Sequence, residues 1–208
     1  MIILDCEQYS DEWYTERLGV PTVSQFIKII TASKNVASKQ QEGYLFQLAT
    51  EQVTGVYAGK DYQSYAMKQG HEREEEARSL FSMIHDVDIR TVGLVFPDEQ
   101  KKYAGSPDGL IESWEAGLEI FCPESPNAVR CLFNHDNAIA LAGKTQQIQG
   151  SLLVTGFEKW FFMSYYPGLK PLILEVKRDE DFILKLKDEL DKFVVELALV
   201  VRKLKEMA

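Results

Sequence analysis

Cysteine is scarce in this chain of 208 residues: Cys6, Cys122 and Cys131 are the whole complement, an odd number with no Cys-x-x-Cys pair. That argues against a disulfide framework and a thiolate zinc site, and it fits a reducing cytoplasm. Long hydrophobic runs are missing as well. No apolar stretch reaches bilayer-spanning length, and the N-terminus has no basic segment leading into an apolar one. Neither membrane anchoring nor secretion is therefore expected. With no internal repeat, low-complexity tract or linker, a single domain over 1–208 is expected. Positive charge is in deficit, with 23 lysines and arginines against 32 acids and a net charge of −9. Phosphate contacts need cations, so nucleic-acid binding cannot be argued from composition, although a local basic track is compatible with a negative total. Much of the acid lies in 72–76 and 179–191, which read as solvated helix faces.

What is present is an ordinary globular composition, 45% apolar and 26% charged, in a chain long enough to bury a sizeable core. Ser10 can cap a short helix through Arg17 that Gly19 and Pro21 terminate, and Val23 to Ile30 reads as a second. Gly43 to Val53 forms a third helix, closed by Gly55. A longer helical pattern from Gln63 to Ile84 places Ala66, Ala77, Leu80 and Phe81 on a buried stripe that Gly70 interrupts. Strand signals follow at Ile89–Phe96, around Tyr103 and Leu110, and at Leu118–Cys122. The segment 123–136, with two prolines, reads as a loop. Ala138 to Thr155 is helical, Trp160–Tyr166 and Leu172–Val176 are strands, and a long amphipathic helix carries Phe182, Leu186, Leu190, Phe193, Leu197 and Val200. The expected fold is α/β, a central mixed sheet flanked by helices.

The chemistry concentrates in Ser106-Pro107-Asp108-Gly109-Leu110 and Gly117-Leu118-Glu119-Ile120-Phe121-Cys122-Pro123. Asp108, on the turn after a strand, and Glu119, within the next, would face each other across an antiparallel pair. Two such carboxylates suit one or two magnesium ions in phosphodiester hydrolysis, which needs a nucleophilic water and neutralised phosphoryl oxygens. Alternation points Leu118, Ile120 and Cys122 one way and Glu119 and Phe121 the other, while the Ile120 carbonyl stays available to a metal. The plainer alternative is a hairpin Asp-Gly turn and an exposed strand glutamate.

Further segments occur in order around this pair: Trp13-x3-Arg17-Leu18-Gly19-Val20 with Ser24, Gly70-x3-Glu74-x2-Ala77-Arg78, and Gln147-x-Gln149. Together, over about Asp11 to Tyr166, they resemble the recombination exonucleases of the bacteriophage lambda exonuclease type, in the PD-(D/E)xK nuclease superfamily. The resemblance implies a restriction-endonuclease-like core and a homotrimeric ring on duplex DNA in the bacterial host's cytoplasm. It implies magnesium-dependent 5′→3′ degradation from a 5′-phosphorylated end, with manganese able to substitute. The resulting 3′ overhang would pass to a single-strand annealing protein. Carried over by position, Asp108 and Glu119 are metal ligands with the Ile120 carbonyl, Glu74 supports a second metal, and Gln147 lies at the active-site edge. Arg17, Ser24 and Ser106 form the 5′-phosphate pocket, and Met67 is the wedge at the terminal base pair. Each residue also has a plainer alternative: a surface arginine, a helix-capping serine, a solvated glutamate, a core methionine and polar-face glutamines. His71, His85 and His135 have no partner spacing and take no role.

One element departs from that pattern. Where the superfamily places a lysine that orients the attacking water and stabilises developing charge, this chain has Phe121. Loss of such a group costs on the order of 100-fold to 1000-fold in rate, so cleavage is expected to be impaired. Lysine and phenylalanine codons differ at every base, which favours deliberate replacement or long divergence. The alternatives are a naturally non-cleaving relative that binds DNA ends or an annealing protein, and a migrated lysine. Lys144, one helical turn before Gln147, is the candidate for migration; its plainer reading is a solvent-facing lysine. Another superfamily activity, restriction-type or single-strand, is the third functional class.

Overall fold

The computed structural model describes residues 1–32, 36–58 and 65–207, with backbone alone over 65–71. Its elements are β1 (Ile2–Leu4), α1 (Asp11–Glu16), a 3-10 turn (Val23–Lys28), α2 (Gln41–Thr54), α3 (Tyr65–His85), β2 (Leu94–Phe96), β3 (Gly109–Ile111) and β4 (Ala116–Phe121). There follow α4 (Ser125–Phe133), α5 (Ala138–Leu141), α6 (Thr145–Thr155), β5 (Lys159–Ser164), β6 (Leu172–Lys177) and α7 (Glu180–Met207). Four strands form a mixed sheet in the order β3-β4-β5-β6, antiparallel except for the central parallel pair β4 and β5. A parallel pair needs a crossover, which here runs through α4, α5 and α6. The N-terminal β1 pairs with β2, and the Arg90–Leu110 and Val95–Gly105 bridges join this ribbon to the segments around β3.

Both faces of the sheet are covered. Leu118 and Ile120 of β4, with Phe161 and Met163 of β5, pack beneath Ala77 and Phe81 of α3. The opposite face carries Trp160 and Phe162 against a larger core that includes Ile148 and Leu152 of α6 and Phe182, Leu186, Leu190 and Phe193 of α7. The strand alternation read from the sequence is thus the one observed, but neither side of β4 faces open solvent.

Three local expectations are corrected. The segment 123–136 contains helix α4, because Pro126 sits in its first turn, where a missing N–H breaks no helical bond. The helix expected over 138–155 is two helices, separated at Gly143, whose φ of 67° leaves the right-handed region. Gly70 does not break α3, which runs through it.

Gly150 explains how α6 comes to lie at the working edge of the sheet. A Cβ there would sit 2.5 Å from Phe26, so only glycine lets the 3-10 turn and α6 approach this closely. That contact brings Ser24 and the start of α6 into one neighbourhood.

Candidate active site

Asp108 immediately precedes β3, rather than following a strand as expected. The register that pairs Gly109 with Leu118 therefore places it beside Glu119 and Ile120. Three bonds fix it: the Ile120 N–H donates to Asp108 Oδ2 at 2.6 Å, Arg78 Nε donates to the Asp108 carbonyl at 2.7 Å, and Gln8 holds the preceding Pro107 carbonyl at 3.0 Å. The Phe121 carbonyl accepts from Tyr165 on the β5 side. The Ile120 carbonyl points the other way, with its own N–H, towards Asp108.

Glu119 is 1% exposed, and its Oε2 has no hydrogen-bond partner among the described residues. Its Oε1 accepts from Lys144 Nζ at 2.7 Å, and the same ammonium donates to Gln147 Oε1 at 3.0 Å. Lys144 is not the solvent-facing residue of its plainer reading; its side chain is 22% exposed. Burial pulls its proton affinity down, but the carboxylates of Glu119, Asp108 and Glu74 more than offset this and leave it above the ordinary lysine value. Burial, then Glu119 and Glu74, push Asp108 well above the carboxylate range. Burial also raises Glu119, against the opposing pull of Lys144.

These groups line one wall of a cleft of about 300 Å³ together with Glu74, which α3 presents one turn before Arg78. Among the described residues no three acidic, histidine or cysteine side chains form a ready cation cage. The donor set still fits a hard cation that keeps several waters. Among the described residues it offers two neighbouring carboxylates, one with a buried oxygen that has no hydrogen-bond partner, and the Ile120 carbonyl on the Asp108 side of β4. Phe121, expected beside that cation, is elsewhere. Its ring stacks on Phe162 at 6.2 Å, packs on the α6–α7 core and does not line the cleft.

A second set of residues lining the same cleft, its helical wall, comprises Arg17, Ser24 and Ser106. The Arg17 guanidinium lies 3.9 Å over the Trp13 ring and 5.4 Å from the Tyr57 ring, and it donates to Thr22 Oγ1 at 3.3 Å. Its Nε is buried and has no hydrogen-bond partner among the described residues. Ser106 Oγ donates to the Gly93 carbonyl at 2.8 Å and accepts from Trp13 Nε1 at 2.9 Å. Ser24 is no helix cap: Thr22 holds that position, and the two hydroxyls lie 3.4 Å apart. Gln149 is buried away from the cleft, between Lys177 and Asp179. The Met67 and His71 side chains lie outside the described residues.

Residues 12–158 match the model of the YqaJ-like viral recombinase domain. The chain belongs to that family. Its fold is similar to that of an alkaline exonuclease from Laribacter hongkongensis, at 24% identity and a TM-score of 0.80, covering 95% of this chain and 97% of that one. The same exonuclease in complex with dAMP gives a TM-score of 0.81 at 24% identity and the same coverage. A phage-related exonuclease from Haemophilus somnus gives 0.70 at 14% identity, over 91% of this chain and 96% of that one. Comparison with curated proteins gives no significant match.

Sequence reasoning passed over Gln8, Tyr9, Tyr14 and Tyr57, which also line the cleft. The available signal was the density of aromatic residues around Arg17, a guanidinium being readily stacked on rings. Tyr9 adopts φ 69°, its ring lies 5.0 Å from Trp13, and burial together with Glu74 and Asp108 raises its hydroxyl above the ordinary tyrosine value. Among the described residues no helix is long and apolar enough to cross a membrane.

Proposed function

We propose that this protein is a magnesium-dependent 5′→3′ exodeoxyribonuclease that degrades one strand from the end of linear duplex DNA. The resulting 3′ overhang would serve recombination by strand annealing in a bacterial host's cytoplasm. The observation that carries this reading is the juxtaposition, in one cleft, of a carboxylate pair, buried Glu119 and half-buried Asp108, with a hydrogen-bonding ammonium and a wall bearing Arg17, Ser24 and Ser106. Membership of a viral recombinase family and the shared exonuclease fold support it.

Asp108, Glu119 and the Ile120 carbonyl would hold the cation, with Glu74 beside a second. Magnesium, or manganese in its place, would supply charge neutralisation at the scissile phosphate and a more acidic bound water. Arg17, flanked by rings that fix its plane, would grip the terminal 5′ phosphate, with Ser24 and Ser106 donating hydroxyls. Gln147 would help orient groups at the edge of the carboxylate wall. By the resemblance of its motifs, the chain would act as a homotrimer threaded by duplex and deliver its product to an annealing protein.

The decisive assay is digestion of 5′-phosphorylated linear duplex with magnesium, compared with closed circular duplex and with chelator. Expected is loss of the linear form alone, and only with metal. Equal attack on circles would point to another nuclease class. Phe121 motivates a second reading, an impaired or non-cleaving relative that binds DNA ends or an annealing protein. End binding with intact DNA in the same assay would select it. Light scattering at three times the chain mass is expected for the trimer; a monomer mass would remove it.

A further inference from the structure

Lys144 breaks a local rule. It occupies the N-cap of α6, where serine, threonine, aspartate or asparagine normally accepts a backbone N–H, and it makes no capping bond. A cation there also opposes the helix dipole, whose positive end lies at the N-terminus. Such local inconsistencies mark places where something other than helix stability selects the residue. Nothing about α6 alone calls for a lysine at this position.

Its surroundings do. The side chain extends from the helix start to Glu119 at 2.7 Å and Gln147 at 3.0 Å, and it lines the cleft. An ammonium has three N–H donors. Two are engaged by these side chains, and one remains for a cleft molecule. Among the described residues the other carboxylate oxygen of Glu119, Oε2, is buried and has no hydrogen-bond partner. Lys144 and a cation held by that oxygen would thus sit on either side of one carboxylate. Phe121, which stands where the superfamily pattern has its lysine, is turned against Phe162 and leaves that space to Lys144.

We infer that Lys144 is the catalytic cation of this chain, reaching the reacting phosphate from the start of α6 instead of from β4. The inference rests on the nuclease reading above and deepens it. In the step it assists, the water oxygen forms the new bond to phosphorus and the bond to the leaving oxygen breaks. The proton lost by the water passes through solvent to that leaving oxygen. Lys144 keeps its own protons throughout; its remaining N–H donates to the attacking water or to a non-bridging oxygen as negative charge develops. The geometry also accounts for the phenylalanine. Once the cation arrives from α6, position 121 is free to complete the apolar face.

The test compares the parent with Lys144→Met and Lys144→Arg in single-turnover digestion of 5′-phosphorylated linear duplex. Manganese affinity is measured by calorimetry and end affinity by fluorescence anisotropy in the same proteins. Lys144→Met is expected to lose on the order of 100-fold to 1000-fold in rate, with manganese bound as tightly or more tightly and end affinity within about threefold. Lys144→Arg retains the charge and the pair with Glu119, so it keeps the fold even where the methionine variant fails to. A lysine that merely holds Glu119 through a charge-assisted hydrogen bond can give way to arginine, which supplies the same charge and N–H donors to a carboxylate. The catalytic role instead predicts at least a tenfold loss in that variant, because the bulkier planar group cannot place a donor at the same point. Lys144→Arg at the parent's rate overturns the proposal, as does a Lys144→Met rate within threefold of an active parent. A rate that falls only in step with manganese affinity also overturns it. A parent that digests no DNA overturns the nuclease reading itself, and this inference with it.

Discussion

The two walls of the cleft meet the same difficulty, charge held away from bulk water, in opposite ways. The sheet wall crowds the carboxyl groups of Asp108, Glu119 and Glu74 around one ammonium, Lys144. Asp108 and Glu119 are neighbours, burial raises Asp108 well above its ordinary value and Glu119 above its own, and among the described residues one oxygen of Glu119 has no partner. The helical wall sets Arg17 between the Trp13 and Tyr57 rings, with its buried Nε lacking a hydrogen-bond partner among the described residues. The first arrangement leaves more carboxyl groups than Lys144 alone can neutralise and so favours a further cation; the second holds its guanidinium on aromatic faces. Separate walls should therefore have separable functions, chemistry on the sheet side and end recognition on the helical side.

The harshest way to break that division is Asp108→Ala. On the proposed reading it removes a metal ligand and the acceptor of the Ile120 N–H together. Digestion of linear duplex should fall at least about 1000-fold. End affinity, measured by anisotropy without cleavage, should change by less than about threefold. A parallel collapse of end binding would show that the walls are not independent.

Arg17→Ala attacks the other side. A charge-assisted bond contributes about 1.5–3 kcal/mol, so digestion of 5′-phosphorylated ends should fall about 10-fold to 100-fold. Unphosphorylated ends should be digested at nearly the parent's rate, which removes the preference. Equal losses on both kinds of end would make Arg17 a support for Trp13 and not a phosphate ligand.

These two walls were unequally legible. Asp108 and Glu119 can be picked out because strand alternation and turn chemistry are local, although Asp108 lies just before β3 and not on the turn after a strand. Arg17 and Ser106 came only from the ordered motifs; their meeting depends on Trp13 bridging to Ser106 and Gly93, far apart in sequence. Lys144 was the hardest to place. A lysine one turn before a glutamine on a helix is ordinarily solvated. What buries this one is the helix break at Gly143 and the Gly150–Phe26 contact, both properties of the packed molecule. Helix α4 was missed because proline was read as a breaker where it begins a helix.

The raised carboxylates give the comparison a pH signature on one wall only. Without metal, Asp108 holds its proton at pH values where an ordinary carboxylate has lost it, so a bound cation must displace that proton. The stabilisation that magnesium gives should be small in the ordinary carboxylate range and grow as pH rises through the raised Asp108 value. At saturating metal it should approach about 3 kcal/mol for a ligand at 100 times its dissociation constant. Thermal unfolding with and without magnesium across that range measures it. Asp108→Asn should flatten the pH dependence; an unchanged slope would place the coupled proton elsewhere.

The gentlest test lies just beyond the sheet wall, at Phe121. If the cleft lacked its cation, Phe121→Lys would raise digestion by orders of magnitude. The geometry favours another outcome: Lys144 already contacts Glu119, and the Phe121 ring faces Phe162 within an apolar cluster. A lysine there must extend its amine past that cluster to reach the cleft, next to a like charge. The expected change in rate is less than about threefold, a difference small beside the effect of an electrostatic group newly placed at the transition state. Loss of the half-buried ring should lower stability by about 1–3 kcal/mol, seen as an earlier urea midpoint at unchanged slope. A hundredfold gain would restore position 121 as the proper home of the cation and leave Lys144 as a partner of Glu119 alone.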